Sequence, residues 1–431
     1  MIRGGIESLR GRRVLLLQGP VGPFFWRLAR ALESVGAEVS KVNFNAGDWL
    51  YFPWKARHFR QPESEWPRWL ERVLETEKID LILMFGDCRP LHVEARRIAS
   101  RRRIEVGVFE EGYVRPNYVT LERHGVNGYS LLRQALDLAG TTPPPAAERQ
   151  VGSTFAPMAW QALGYGIAHC AGKIFFPHYR HHRPMGLWEA LRWVRSAWRK
   201  VYWHRKEMDV ARRLQRGDAG RFFLVPLQVF NDAQVTVHGP VRSVPSFIRQ
   251  VADSFAAHAP KDAQLVFKHH PMDRGHTDYS ELIRRISESL GIAARVLYVH
   301  DVHLPTLLQR AEGVVVINST VGLSALGHGA ATLAIGSAIY DLPGLTFQGS
   351  LDDFWKAAPG TRPDKELVRR FREVLIARTQ LNGSFYRALP GQEAHAGLVW
   401  PSPSRPVTRP PLSGRRQPGA ALTTRSEGAT S

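Results

Sequence analysis

Short apolar runs alternating with amphipathic stretches, in two separate series, limit this chain more than any other feature. RVLLLQ (13–18) is bounded by a Gly/Pro turn, and residues 23–35 follow with helical spacing. The pattern continues through residues 38–44, a helical stretch at 66–75, DLILMF (80–85), a helical stretch at 91–102 and the apolar run 104–109. Strands that read as continuous apolar runs, separated by helices, predict a parallel sheet covered on both faces. A second series begins near Arg221, with FFLV (222–225), AQLVF (263–267), ARVLYV (294–299), GVVVI (313–317) and ATLAI (331–335). Helical periods at 246–257, 279–290 and 304–311 separate these runs. Two doubly wound α/β domains in sequence create a cleft between the carboxyl ends of their strands, where such sheets bind ligands. A chain of 431 residues has room for two such cores. The expected layout is a Rossmann-like domain over residues 1–150, a helical connecting region over 151–215, a second Rossmann-like domain over 216–400 and a disordered tail over 401–431. That tail is rich in Pro, Ser and Thr, and its five arginines face one glutamate.

The connecting region carries two unusual stretches. Residues 155–172 (FAPMAWQALGYGIAHCAG) contain no charge, yet Pro157, Gln161, His169 and three glycines argue for a buried or interfacial helix over a membrane span. Further on, Leu187, Leu191, Val194, Trp198 and Val201 form one apolar stripe with Arg192, Arg195 and Arg199 beside it. Such a stripe serves most often to pack a connecting helix on a domain. Its alternative use is to lie in a bilayer surface with arginines at the headgroups and tryptophans at the boundary.

Charge narrows the partners. Lys and Arg number 58 against 39 Asp and Glu, a formal net charge of +19, and most of the excess falls outside the tail. That balance points to an anionic membrane surface or a phosphorylated substrate; no basic, aromatic-interleaved recognition module appears, so nucleic acid is not expected. The two cysteines, Cys88 and Cys170, lack metal or disulfide spacing, which fits a reducing cytoplasm. The first residues show no secretory leader pattern, so no export is expected.

Chemistry concentrates where strands end. In 108-VFEEGYVRPNY-118 an apolar run ends in adjacent carboxylates, Glu110 and Glu111, followed by Gly112 and Arg115. Like charges that close raise each other's pKa, and local folding does not require the pair. The loop 19-GPVGPFF-25, with Gly19 and Gly22, has prolines in place of N–H donors and no GK[ST], so it reads as a tight turn at the cleft rim and not as a phosphate cradle. Lys268, His269, His270 and Pro271 follow AQLVF directly, which aims an imidazolium at the cleft as a phosphate ligand. Asn318, Ser319 and Thr320 follow GVVVI and precede a helix, an anion site or a routine cap. Gln228 and Asp232, after the first strand of the second series, are candidates to read a base or sugar, or to cap a turn. Neither a cluster of acidic or histidine residues at ligand spacing nor a DxD-like pair is seen, so metal independence and no cofactor are expected.

The blocks VLLLQGPVGPFF, KVNFNAGDW, VFEEGYVRPNYVTLE, VPLQVFND, FKHHPMDRG and VINSTVGLSALGHG, in that order between Arg13 and Thr346, resemble the capsule polysaccharide synthesis proteins that transfer β-linked Kdo, specifically the smaller, single-transferase members. The resemblance implies a GT-B-like retaining glycosyltransferase that moves Kdo from CMP-β-Kdo to a (lyso)phosphatidylglycerol acceptor. It also implies a place on the cytoplasmic side of the membrane, beside the second capsule Kdo transferase and the export machinery. Bacterial sialyltransferases are similar in pairing an acidic-acidic-Gly motif with an HP motif and a Ser/Thr pair. These correspond to Glu110-Glu111-Gly112, His270-Pro271 and Ser319-Thr320. The resemblance makes Glu111 the nucleophile and Glu110 its auxiliary, with His270, Ser319 and Thr320 on the CMP phosphate. Lys268, Pro271, Asn318, Gln228, Asp232, Gly19, Gly22 and Arg115 complete the expected substrate contacts. The larger relatives carry Glu-Asp-Gly, one methylene shorter at the second acid. Two alternatives stand beside this reading: an inverting GT-B enzyme with another nucleotide sugar and Glu111 as base, and a non-catalytic capsule assembly or export factor.

Overall fold

The computed structural model describes residues 4–135, 146–181, 187–230, 239, 241 and 243–401. Among these residues the strands form two sheets. The larger contains β1 (Arg13–Leu16), β2 (Glu38–Asn43), β3 (Ala56–His58), β4 (Leu81–Phe85), β5 (Glu105–Glu111), β6 (Tyr118–Arg123), β12 (Gln380–Gly383) and β13 (Leu398–Val399), in the order β13-β12-β6-β5-β4-β1-β2-β3. The smaller contains β7 (Phe222–Pro226), β8 (Gln264–Lys268), β9 (Val296–Val299), β10 (Gly313–Val316) and β11 (Ala331–Ala334), in the order β11-β10-β7-β8-β9. Every pairing in the smaller sheet is parallel, as are those from β3 to β5 in the larger one.

Helices cover both faces, as the continuous apolar strands require. In the first domain these are α1 (Phe24–Ser34), α2 (Ala46–Tyr51), α3 (Trp66–Thr76) and α4 (Pro90–Arg101), followed by the short α5 (Leu132–Ala135) and by α6 (Phe155–Ala171). α7 (Leu187–Lys206), α8 (Met208–Arg216), α9 (Val244–His258), α10 (Ser280–Ser289), α11 (Leu304–Arg310), α12 (Val321–Gly327), α13 (Leu351–Ala357) and α14 (Lys365–Thr379) belong to the second half. Alternation along each strand sends its side chains to two cores. Val14, Leu16, Leu81 and Leu83 join one core of the larger sheet, and Leu15, Leu17, Ile82 and Met84 join the other.

Three features depart from the sequence reading. The boundary at residue 400 fails, because β12 pairs antiparallel with β6 and β13 with β12, so residues 380–399 complete the first sheet. The connecting region splits: α6 packs on α2 of the first domain, whereas α7 and α8 lie on the second. Finally, β5 does not stop before the acidic pair; Glu110 and Glu111 are its last residues, paired with Thr120 and Val119.

The returning segment is firmly seated. The Phe385 ring is fully buried and meets Phe24 at 4.9 Å and Phe85 at 5.2 Å between centroids, mostly edge-on, the geometry that aromatic quadrupoles favour. Removing such a ring costs about 3–5 kcal/mol, so the residue after it, Tyr386, is held in place by the core.

Candidate active site

Each sheet changes winding direction once, and polar side chains meet at those two points, where the strand ends diverge and leave a crevice. In the larger sheet the reversal lies between β1 and β4. Gln18 follows β1, and Arg89 lies just past β4; the Arg89 Nη1 donates to Gln18 Oε1 at 2.8 Å and to the Gly19 carbonyl at 3.5 Å. Gln18 Nε2 in turn lies 2.8 Å from the Tyr179 hydroxyl and 3.2 Å from Asp48 Oδ2. In the smaller sheet the reversal lies between β7 and β10, and Gln228 Nε2 donates across it to Asn318 Oδ1 at 3.2 Å. The same residue type closes both crevices.

Glu110 and Glu111 point to opposite sides of β5, as strand neighbours must. Glu110 turns toward the β4 end: a Cβ placed on Gly86 would sit 3.6 Å from Glu110 Oε2 and 3.8 Å from Arg89 Nε. Burial pushes the Glu110 carboxyl up to about 7; the Glu111 and Asp87 carboxylates add to the rise, while the Glu111 N–H and Arg89 oppose it. This is the range in which a carboxyl exchanges protons at physiological pH. Glu111 turns the other way, and its Oε1 accepts from the Tyr386 hydroxyl at 2.9 Å. Gly112 is required by close approach, because any Cβ there would lie 2.0 Å from the Tyr118 carbonyl oxygen. Immediately after it, Tyr113 and Val114 pack into the core of the second domain, and the Gln380 side chain accepts from the Tyr113 N–H. The motif is thereby pinned at the junction of the two domains.

Across the junction, His270 lies two residues past β8 and caps a 3-10 turn with Pro271 at its first position. Its charge state differs from the sequence expectation. Burial, aided by the nearby Arg115, Lys268 and Arg274 cations, lowers its pKa to about 4, and its Nδ1 accepts from the Met272 N–H at 3.1 Å. The ring is therefore neutral and offers Nε2–H as a donor, not a charge. Arg115, in the loop after the acidic pair, is thus among the cations that act on His270. Lys268 is a second correction: it is buried, and its Nζ donates to the His300 carbonyl at 3.2 Å, tying β8 to β9. Ser319 is a cap, its Oγ accepting from the Val321 N–H at 3.2 Å, while Thr320 makes no capping bond. Gly19 and Gly22 serve packing, since a Cβ at either would strike Phe25 or Gln161. Asp232 lies outside the described residues.

Two site residues escaped the sequence reading. Arg89 stands before a proline that opens a helix and reads as an ordinary N-terminus; only the glycine-ended strand before it, FGDCR, hinted at a crevice. Tyr386 lies 275 positions from Glu111, and no local signal links them. Among the described residues no group of three or more His, Cys, Asp or Glu is arranged to hold a metal ion.

The outer surface supplies one more element. On α6 and the turn after it, Trp160, Leu163, Ile167 and Ile174 share an exposed face, and Leu50 and Trp54 from the α2 region are exposed too. Along α7, Leu191, Val194, Trp198 and Val201 also face solvent; the Leu187 side chain is outside the described set. Arg199 does not lie with the headgroup-facing arginines that the stripe suggested. It is buried, paired with Asp278, and donates to the Arg274 carbonyl at 3.0 Å, so it clamps α7 to the second domain. No helix among the described residues is long and apolar enough to cross a membrane.

Residues 80–386 match the family described as Capsule polysaccharide biosynthesis protein. The chain is 43% identical over 387 residues to the capsule polysaccharide export protein KpsS of Escherichia coli, covering 88% of this chain and 98% of that protein. It is 42% identical over 399 residues to the capsule polysaccharide modification protein LipB of Neisseria meningitidis serogroup B, covering 90% and 95%. Among solved structures it is similar to the beta Kdo 2,4 transferase of Thermosulfurimonas dismutans KpsC, at 14% identity, 89% and 94% coverage and a TM-score of 0.40.

Proposed function

The chain belongs to the capsule polysaccharide biosynthesis protein family, and from that premise we propose that it is a retaining β-Kdo glycosyltransferase moving Kdo from CMP-β-Kdo to a (lyso)phosphatidylglycerol acceptor. One observation carries the reading: a carboxylate pair ends β5 at the two-domain junction, and Arg115, four residues beyond it, lies close enough to His270 of the other domain to join burial in lowering its pKa. Net retention takes two inversions. Glu111, oriented by Tyr386, attacks the anomeric carbon and expels CMP, whose phosphate accepts from His270 Nε2–H and from Thr320. The acceptor hydroxyl then gives its proton to Glu110 and displaces Glu111, which restores the starting configuration. Gln228 and Asn318, linked across the second crevice, flank the nucleotide.

The exposed apolar faces of α6 and α7 support a peripheral position on an anionic bilayer, since they combine tryptophans at the rim with a chain of net charge +19. That position keeps the acceptor in its own leaflet while CMP-Kdo arrives from the cytoplasm.

Incubating the protein with CMP-Kdo and synthetic phosphatidylglycerol or its lyso form, followed by mass spectrometry of the lipid, tests the reaction. A lipid heavier by one Kdo, with a β anomeric linkage by NMR, is the expected product. An α linkage would convert the enzyme to an inverting one, and no product with CMP unreleased would remove the activity.

A further inference from the structure

We propose that Arg89 is the centre of an anion subsite that holds the phosphodiester of the acceptor beside Glu110, an assignment that rests on the transfer reaction proposed above. Arg89 is half-buried, and no carboxylate among the described residues lies within ion-pair distance of its guanidinium. Its partners at hydrogen-bond range are the neutral Gln18 Oε1 and Gly19 carbonyl. Asp48 and Glu110 act on it only from beyond ion-pair distance, and a partly buried cation hydrogen-bonded to neutral groups alone favours an anion that joins it. It lines a pocket open to solvent, together with Gln18, Gln61, His92, Tyr179 and Arg180. The cavity lies at the β1/β4 reversal, where the fold itself leaves a crevice.

A second observation points to a ligand in the same place. His92 lines the cavity and is 1% exposed; its Nδ1 lies 2.6 Å from the Gly86 carbonyl oxygen, which makes that nitrogen the donor. Its Nε2 is then an acceptor, buried and without a partner. A guanidinium for a phosphate and a ring nitrogen for a hydroxyl are the two contacts a phosphoglycerol headgroup asks for. Gly86 stands between Arg89 and Glu110, so a phosphate on Arg89 leaves its attached glycerol within reach of the carboxyl that takes the proton. Arg180, exposed on the cavity rim, adds a second cation for the same charge.

Two experiments on the full chain test this. Calorimetric titration with glycerophosphoglycerol reads binding without turnover; wild type is expected to bind it, and Arg89→Gln to weaken binding at least tenfold. In the transfer assay, Arg89→Gln is expected to raise the acceptor KM at least tenfold while the donor KM moves less than threefold. Wild type is expected to prefer phosphatidylglycerol over an uncharged monoacylglycerol at least tenfold, a preference the variant loses. Arg180→Gln, at a solvent-exposed site where folding is not at stake, is expected to raise the acceptor KM about threefold. Unaltered headgroup binding in Arg89→Gln overturns the subsite. A rise confined to the donor KM assigns the anion to the Kdo carboxylate, and an equal loss for charged and uncharged acceptors makes Arg89 structural; both outcomes overturn the proposal. Absence of Kdo transfer in wild type, with headgroup binding still dependent on Arg89, would instead defeat the proposed reaction and leave the subsite standing.

Discussion

Glu110→Gln is expected to make the protein more stable and less active, and the size of the stability gain follows from the site. The Glu110 carboxyl, ordinarily near 4.5, is pushed up to about 7 by burial and by Glu111 and Asp87. On unfolding it returns to its ordinary range. Below about pH 4.5 both states hold the proton and nothing depends on pH. As pH rises from about 4.5 to about 7 the unfolded chain releases the proton while the folded one keeps it, so stability falls; above about 7 the loss is complete. A displacement of about 2.5 at about 1.4 kcal/mol per pH unit gives about 3 kcal/mol. Glutamine removes the titration and keeps an oxygen to accept the Glu111 N–H. Urea unfolding of both proteins from pH 4.5 to 8.5 is the assay. The variant is expected to be more stable by up to about 3 kcal/mol at pH 8, with the difference shrinking to nothing near pH 4.5. Glu122, also pushed up to about 7 by burial, contributes equally to both proteins, so the difference curve isolates Glu110. Transfer is expected to fall by about a hundredfold or more, the range for loss of a positioned proton acceptor. A variant no more stable than wild type at pH 8, or a gain that does not vary with pH, would refute this account of the carboxyl.

His270→Ala is expected to weaken CMP binding about tenfold by calorimetry, because one hydrogen-bond donor to the phosphate is lost; since the ring is neutral, the loss is expected to change little between pH 6 and pH 8, and a loss confined to acid pH would restore the imidazolium reading. Replacing Trp160 and Ile167 together with serine is expected to reduce flotation with anionic liposomes severalfold without lowering thermal stability, as both side chains are exposed in the folded protein; full flotation would move the bilayer contact elsewhere.

The two parallel cores were legible because buried parallel strands are apolar without interruption: LILMF, GVVV and ATLA announce themselves from residue type alone. The acidic pair and the HP turn were legible because they end such runs. What escaped was the antiparallel edge of the larger sheet. β12 is QLNG, entirely buried yet half polar, and its place depends on partners far away: Gln380 Nε2 donates to Thr120 Oγ1 at 3.0 Å, and Asn382 Nδ2 donates to the Asn117 carbonyl at 2.6 Å. No period-two or apolar signal marks a strand whose side chains are satisfied by hydrogen bonds to another element. Tyr386 was hidden for the same reason, since it rides on that edge. Arg89 and His270 show a different limit, because the types were visible but their surroundings decided what they carry: a charge hydrogen-bonded only to neutral groups in one case, no charge in the other.

The return of residues 380–399 to the first sheet also dictates an order of assembly during synthesis. Domains ordinarily fold in the sequence in which they leave the ribosome, the amino-terminal one first. Here the second domain, β7 to α14, is an uninterrupted stretch and is whole before the first domain has received β12 and β13. Until then β6 presents an unpaired edge, and the Phe24, Phe85 and Phe109 rings await Phe385. Glu111 and Tyr386 meet only at that last step, so a nascent chain cannot bring the pair together before residue 386 has emerged.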